Sequence, residues 1–221
     1  MTLPLFGAGR REVAPGAVHV PAWLDLPAQQ RIAAACLDWA RGPVPARAAV
    51  LPGGHPMSVR TVCLGWHWRP YRYSRVADDA GGSRVAPLPD WLVRLGSAAV
   101  AEAYQDPVAG ARYRPDTALV NFYDADARMG MHQDRDERAR EPVVSLSIGD
   151  TCLFRFGNTE SRSRPYADVE LASGDLFVFG GPSRLAYHGV PRIRPGTGDP
   201  RTGLGPGRVN ITLRTTGFER G

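Results

Sequence analysis

The chain has 221 residues and a formal net charge of +5, and because it contains no lysine all 27 of its basic residues are arginines. This length predicts one domain with a substantial core. No charged and apolar leader opens the sequence, and no apolar run approaches the ~20 residues that span a bilayer. We therefore expect a cytoplasmic monomer that involves no membrane and has no obligate protein partner.

The number of cysteines and the charge indicate the redox compartment and the class of partner. Cys36, Cys63 and Cys152 are odd in number and lack metal-type spacing, which favours reduced thiols in a cytosolic protein. The arginine excess favours a polyanionic partner. Each arginine cluster is equally compatible with a solvated surface, so charge alone does not identify that partner.

The first half of the chain predicts two helices separated by short strands. Residues 1–16 contain Gly and Pro and are expected to be irregular. A helix is predicted over residues 27–41, where Pro27 suits the first turn and an apolar stripe follows. Residues 42–88 alternate short strand-like pieces with turns. A second helix is predicted over about residues 89–104.

From Thr117 onward, the pattern changes to short strands divided by turns. This pattern is consistent with an all-β core of the jelly-roll type. Residues 194–207 contain five Gly and three Pro and predict a loop within the core. No internal repeat is present.

Three residues of this second half form a candidate iron site. His132 and Asp134 are two residues apart, which places an imidazole and a carboxylate on one face of a strand or turn. Together they supply two of the three ligands of the 2-His-1-carboxylate triad, which holds Fe(II) and leaves open positions. A His-x-Asp pair often arises by chance. A third candidate, His188, follows 54 residues after Asp134, behind an apolar run and a Gly-Gly-Pro turn.

The last predicted strand, residues 208–214, alternates polar and apolar side chains without a break. One face would carry Arg208, Asn210, Thr212 and Arg214. This face either meets solvent or lines a polar pocket that binds an anion. An iron triad upstream favours the pocket, because two guanidiniums suit the carboxylates of a dicarboxylate co-substrate.

Several short motifs follow one another along nearly the whole chain. They are Leu51-Pro52-Gly53-Gly54, Leu64-Gly65-Trp66, Tyr71-Arg72-Tyr73-Ser74, Asn121-Phe122-Tyr123, His132-Gln133-Asp134-Arg135-Asp136-Glu137, Tyr187-His188-Gly189 and Arg208-x-Asn210-x-Thr212-x-Arg214, and Leu5-Phe6 near the start fits as well. Each motif is weak, but their joint order is specific. In that order they resemble the bacterial AlkB-type dioxygenases, which use iron and 2-oxoglutarate to repair alkylated nucleobases.

The resemblance implies a fold and a division of the chain. The expected fold is mostly β with flanking helices (α+β), built on a double-stranded β-helix, or jelly roll. One domain would cover residues 1–221. Residues from about 1 to 116 would form an N-terminal extension and nucleotide-recognition region, and residues from about 117 to 217 the catalytic core.

The resemblance also implies a set of cofactor residues. His132, Asp134 and His188 would hold Fe(II). The co-substrate 2-oxoglutarate would be bound by Asn121, Tyr123, Arg208, Asn210 and Arg214, and O2 would be the second co-substrate. The sequence leaves open which of Arg208 and Arg214 takes which carboxylate.

Substrate contacts follow from the same resemblance. The expected substrate-binding residues are Met57, Trp66, Tyr71, Arg72, Tyr73, Asp136 and Arg162. Trp66 would stack on the target base opposite His132, Tyr71, Arg72 and Tyr73 would contact phosphates, and Asp136 would accept a hydrogen bond from an exocyclic amino group. Core packing is the alternative for Trp66 and Met57, a loop ion pair is the alternative for Asp136, and Arg164 is an alternative to Arg162.

The expected function is oxidative dealkylation of N-alkylated bases of the 1-methyladenine and 3-methylcytosine type. The substrate would be DNA, expected to be single-stranded, or RNA. The reaction would be coupled to decarboxylation of 2-oxoglutarate to succinate and CO2, with release of an aldehyde. Two alternatives remain open: a hydroxylase of the same chemistry that acts on a protein or small molecule, and a catalytically silent nucleic-acid-binding module.

Overall fold

The computed structural model describes residues 9–219, so the Leu5-Phe6 segment lies outside the described residues. The helices are α1 (Leu26–Trp39), α2 (Asp90–Tyr104) and α3 (Pro107–Arg112). The strands are β1 (Arg11–Ala14), β2 (Ala17–Val20), β3 (Arg47–Val50), β4 (Pro56–Leu64), β5 (His67–Arg69), β6 (Arg72–Ser74), β7 (Val76–Ala77), β8 (Ser83–Arg84), β9 (Thr117–Tyr123), β10 (Met129–His132), β11 (Val143–Gly149), β12 (Thr151–Phe156), β13 (Ala167–Leu171), β14 (Leu176–Phe179), β15 (His188–Arg194) and β16 (Arg208–Arg214).

Two antiparallel sheets form the core. The larger sheet has the order β1-β2-β14-β11-β16-β9-β4-β3, and the smaller has the order β10-β15-β12-β13. Aromatic rings from both sheets meet between them, since the Phe177 centroid lies 4.9 Å from that of Phe154 and 5.2 Å from that of Phe156. This arrangement confirms the predicted mostly β fold with a jelly-roll core.

The two long helices cover the outer face of the larger sheet. Ile32 of α1 and Leu92 of α2 belong to the same buried cluster as Leu146 and Ile211 of the sheet. Each such side chain contributes roughly 1.5–3 kcal/mol by leaving water. α1 starts where the Asp25 side chain accepts a hydrogen bond of 2.8 Å from the Ala28 amide. Both helices lie within two residues of their predicted bounds.

The polar and apolar residues that alternate along β16 face opposite sides of the larger sheet. Val209, Ile211 and Leu213 face the helices, and every residue of the strand is buried. The polar face therefore points between the sheets, and its solvent-facing interpretation is wrong. Antiparallel pairing sets Asn210 opposite Asn121 on β9.

Two parts of the N-terminal half differ from expectation. Residues 11–14, expected to be irregular, form edge strand β1, which pairs with β2 through a turn at Gly16. Gly16 has φ +77°, and a Cβ there would lie 2.5 Å from the Gly180 carbonyl oxygen, so the close packing requires glycine. Helix α3 was not predicted, although Asp106 caps it and Pro107 opens it.

The larger sheet draws strands from both sides of the predicted boundary at residues 116 and 117. Strands β1 to β4 precede the boundary, and β9, β11, β14 and β16 follow it. The division into a recognition region and a catalytic core stays a prediction. Within residues 9–219 no helix has the length and apolar character needed to cross a membrane.

Candidate active site

The predicted iron ligands meet at one end of the smaller sheet. His132 ends β10, His188 begins β15, and the two residues are direct partners in the antiparallel register. One ligand atom from each of His132, Asp134 and His188 lies within 4.8 Å of the others. The Asp134 carboxylate lies 3.5 Å from His132 Nε2 and 3.7 Å from His188 Nε2. Three residues distant in sequence thus converge on one point.

Hydrogen bonds around the imidazoles leave the correct atoms free for a metal. His132 Nδ1 lies 2.9 Å from the Gly130 carbonyl and His188 Nδ1 lies 3.0 Å from the Ala186 carbonyl. A carbonyl only accepts, so both Nδ1 atoms donate and both Nε2 lone pairs are free. Asp134 Oδ2 is buried and has no hydrogen-bond partner within residues 9–219. This donor set fits Fe(II).

Electrostatics keep His188 and Asp134 in the protonation state that binds a metal. Burial and the neighbouring His132 lower the pKa of His188 to about 4, so its imidazole is neutral at physiological pH. Burial alone would raise the pKa of Asp134, but the Arg214 guanidinium outweighs burial and holds that pKa well below its usual range. Arg214 Nη2 lies 2.9 Å from Asp134 Oδ1. A neutral imidazole and an ionised carboxylate are what a cation requires.

A buried charge network supports Asp134 from behind. Glu137 Oε1 lies 3.0 Å from Arg214 Nη1 and accepts a 2.5 Å hydrogen bond from the Tyr73 hydroxyl. Glu137 Oε2 lies 3.1 Å from Arg184 Nη2, and Arg184 Nη1 donates to the Asp134 backbone carbonyl at 2.5 Å. Two guanidiniums and two carboxylates balance one another, which is the condition for burying such charges.

Glu137 and Arg184 are functional candidates that the sequence analysis did not identify. Glu137 lies within the quoted His132 motif, and Arg184 lies four residues before His188. The signal in the sequence was a pair of charged residues only three and four positions along the chain from Asp134 and His188. Their burial, with side chains 0% and 3% exposed, reveals their place in the site.

All five residues predicted to bind 2-oxoglutarate line one inner pocket. Asn121, Tyr123, Arg208, Asn210 and Arg214 surround it together with the two candidate histidine ligands. Arg208 Nη2 donates to Ser147 Oγ at 2.8 Å, while its buried Nε has no partner among the described residues. Arg214 lies beside Asp134, and Arg208 lies at the opposite end of β16. The pocket therefore carries one guanidinium beside the candidate metal ligands and one away from them.

A wider cleft of about 270 Å³ opens on His132 and Asp134. Four of the predicted substrate residues line it, namely Met57, Tyr71, Asp136 and Arg162. Arg164 instead lies against Tyr166, with its guanidinium carbon 5.3 Å from the ring centroid. The geometry thus favours Arg162 over Arg164 as the loop arginine facing this cleft.

Three other predicted substrate residues lie outside the cleft. Trp66 is buried beside Phe218, with ring centroids 5.4 Å apart and the Arg75 guanidinium 3.7 Å above it. Tyr73 is buried because its hydroxyl binds Glu137. Arg72 pairs with Asp78 at 3.2 Å and lines a neighbouring groove. The assignments of Trp66 to base stacking and of Tyr73 to phosphate contact are corrected accordingly.

Trp68 lies where Trp66 was expected. It lines the cleft, and its indole Nε1 donates to Asp136 Oδ2 at 2.9 Å. Gly65, at φ +76°, turns the chain just before these two tryptophans. The sequence predicted Trp66 for this place, and the structure puts Trp68 in the cleft two residues later, because sequence alone does not show how the turn at Gly65 directs the following side chains.

Comparison with known proteins agrees with this site. Residues 16–214 match the family described as the 2OG-Fe(II) oxygenase superfamily. The chain is 40% identical over 216 residues to "Alpha-ketoglutarate-dependent dioxygenase AlkB homolog" of Caulobacter vibrioides, covering 91% of this chain and 88% of that protein. It is 34% identical over 181 residues to "DNA N(6)-methyladenine demethylase ALKBH1C" of Arabidopsis thaliana, covering 72% of this chain and 39% of that protein.

A solved structure gives the same result for the fold. The structure of OsALKBH1 superposes with a TM-score of 0.83 at 30% sequence identity, covering 94% of this chain and all of that chain. The chain therefore belongs to the AlkB-type branch of the 2OG-Fe(II) oxygenase superfamily and is an Fe(II)- and 2-oxoglutarate-dependent dioxygenase.

Proposed function

We propose that this dioxygenase removes alkyl groups from the bases of nucleic acids, with 1-methyladenine and 3-methylcytosine as its type of substrate. The reaction consumes 2-oxoglutarate and O2 and releases succinate, CO2 and an aldehyde. The observation that supports this function best is the joined pair Trp68 and Asp136. It places an aromatic ring and a carboxylate in the cleft that opens on the candidate iron ligands.

His132, Asp134 and His188 are the proposed iron ligands. Bound Fe(II), with its two co-substrates, supplies the oxidation of the N-alkyl carbon, after which the hydroxylated group leaves as an aldehyde. The protein holds the His188 imidazole neutral and the Asp134 carboxylate ionised before any metal binds. Arg214 keeps one carboxylate oxygen of Asp134 fixed, so that the other oxygen, which has no hydrogen-bond partner in the described part of the chain, would bind the metal.

The inner pocket is the proposed 2-oxoglutarate site. Arg214 adjoins Asp134, so we assign to it the carboxylate beside the keto group, and Arg208 takes the distant carboxylate. Asn121, Tyr123 and Asn210 add polar contacts along the pocket. Charge-assisted pairs of this kind stabilise a dicarboxylate more than neutral hydrogen bonds do.

The wider cleft is the proposed base site. Trp68 stacks on the target base from one side and His132 from the other. Asp136 keeps one oxygen for an exocyclic amino group, because Trp68 already donates to the other. Met57 and Arg162 complete the wall, and a base inside a duplex must be flipped to enter. Single-stranded DNA, and RNA as a further substrate, present the base without that cost.

A hydroxylase acting on a protein or small molecule would use the same iron and 2-oxoglutarate residues. It would have no use for a carboxylate held by an indole at the mouth of the cleft. A silent binding module would not need an ionised Asp134 with one buried oxygen that no described residue hydrogen-bonds. Neither alternative explains both the Trp68–Asp136 pair and the metal centre.

Turnover of 2-oxoglutarate tests the proposal. The enzyme with Fe(II) is given single-stranded oligonucleotides that contain 1-methyladenine or 3-methylcytosine, or their unmethylated equivalents. Decarboxylation should rise with the methylated strands only, with formaldehyde produced in equal amount. Stimulation by unmethylated strands or by protein alone would contradict the assignment, and the Asp134→Ala variant serves as the inactive control.

A further inference from the structure

Exposed apolar side chains lie together at the mouth of the base cleft. Among the residues that the structure describes, five large apolar side chains are exposed: Val50, Leu51, Tyr71, Trp91 and Val108. Leu51 and Tyr71 line the cleft, and Val50 lines the groove beside it. Three of the five therefore lie together at one place. Clustered exposed apolar groups mark a binding surface, whereas single ones need no explanation.

Backbone geometry directs Tyr71 outward. Arg69 of β5 pairs with Arg72 of β6, so Pro70 and Tyr71 form a two-residue turn. Proline holds a negative φ, and Tyr71 takes the other turn position with φ +70°, a conformation that favours glycine or asparagine. A bulky residue kept in this conformation with 66% of its surface exposed gains little packing from its own fold. The ring is presented to a partner.

A second groove adjoins the same turn. It has a volume of about 530 Å³, and Arg47, Arg69 and Arg72 line it together with Pro70, which also lines the base cleft. Asp78 lies 3.3 Å from Arg69, and Asp79 lies 2.7 Å from Arg47. Three guanidiniums against two carboxylates leave a weak positive charge suited to a nucleic-acid backbone.

We propose that Leu51 and Tyr71 stack on the nucleobases that flank the target base while the strand backbone follows the neighbouring arginine groove. This inference rests on the proposed function and makes the substrate a strand with neighbouring bases. Charge in the groove is largely neutralised, so apolar contact at the cleft mouth supplies most of the grip. Phosphate contact through the Tyr71 hydroxyl is the competing explanation, and the experiment separates the two.

The test compares two DNA strands of five nucleotides, each with a central 1-methyladenine. One has normal neighbours, and the other has abasic sites on both sides, which keep the phosphates but lack the bases. Affinities are measured by fluorescence anisotropy under anaerobic conditions with Fe(II) and 2-oxoglutarate. The variants are Leu51→Ala, Tyr71→Phe and Tyr71→Asn, since asparagine tolerates the positive φ. Val108→Ala is the matched control, an exposed apolar residue on α3 that lines neither groove.

The wild type should bind the normal strand at least roughly fivefold more tightly than the abasic-flanked strand, because one stacked base already accounts for about that factor and the abasic-flanked strand lacks two. Tyr71→Asn and Leu51→Ala should each lose a large part of this preference, while Tyr71→Phe and Val108→Ala should retain it. Equal wild-type affinities would overturn the inference, as would a Tyr71→Asn effect of the same size on both strands or a loss in Tyr71→Phe. If methylated strands are turned over yet the flanking bases make no difference, the inference alone fails. If no methylated strand binds, the proposed function fails with it.

Discussion

Replacing Glu137 by glutamine tests the buried charge network most sharply. The glutamate accepts from Arg214 and Tyr73 through one oxygen and from Arg184 through the other. Glutamine keeps an acceptor oxygen in place of Oε1. Its NH2 group would replace Oε2, which lies 3.1 Å from Arg184 Nη2, so that two N–H donors would face each other. Two guanidiniums would then share one fewer buried carboxylate. We expect the free energy of unfolding to fall by about 3–5 kcal/mol, the usual cost of breaking a buried ion pair.

Urea denaturation followed by tryptophan fluorescence measures this loss. Asp168→Asn is the matched control, because Asp168 pairs with Arg155 at 2.8 Å on the surface. That change should cost less than about 1 kcal/mol. A loss for Glu137→Gln no larger than that of the control would refute the account of the network.

The stability difference between the wild type and Glu137→Gln should also depend on pH. Burial raises the pKa of Glu137, but Arg214, the Tyr73 hydrogen bond and Arg184 outweigh it, so that the net pKa is lowered. A carboxylate with a lowered folded-state pKa stabilises the fold above its unfolded pKa and loses this contribution as the pH falls through the folded value. The stability gap between wild type and Glu137→Gln should therefore narrow below about pH 4.3, the ordinary glutamate value. A gap that widens on acidification would contradict this reasoning.

Three further predictions concern the two pockets and the thiols. Trp68→Ala should lower kcat/KM for a methylated oligonucleotide roughly 5- to 150-fold, whereas Trp66→Phe should change it little, and the reverse order would contradict the placement of the two rings. Arg208→Gln should raise the KM for 2-oxoglutarate at least roughly tenfold through loss of a charge-assisted bond, and an unchanged KM would exclude this pocket. All three cysteines are buried, and burial raises the pKa of each thiol, that of Cys63 to about 11. Because the thiolate is the reactive form, Ellman's reagent should label the chain only after unfolding. Rapid labelling of the native chain would contradict that burial.

The sequence predicted the elements whose pattern is local and strong. The alternation of β16 and the apolar stripes of α1 and α2 predicted the type of each element and, for the two helices, the buried face. The spacing of His132 and Asp134 with a later His188 gave a candidate triad, because iron chemistry requires those residue types together. The joint order of the motifs identified the family.

Other features depend on geometry that the sequence does not contain. Whether Trp66 or Trp68 faces the cleft depends on how Gly65 turns the chain. Tyr73 was assigned to the surface, yet an acidic partner 64 residues away draws its hydroxyl inside. Arg184 joins the metal site only because β15 returns beside β10. A local turn therefore decided which tryptophan faces the cleft, and long-range pairing decided the positions of Tyr73 and Arg184.

Anaerobic Fe(II) titration of the metal-free protein tests the central claim most directly, with 2-oxoglutarate present and absorbance as the readout. The wild type and the surface control Asp168→Asn should each bind one iron per chain. His132→Ala, Asp134→Ala and His188→Ala should each lose tight binding while circular dichroism shows the β-rich fold retained. An Asp134→Ala chain that still takes up one ion with wild-type affinity would contradict the account.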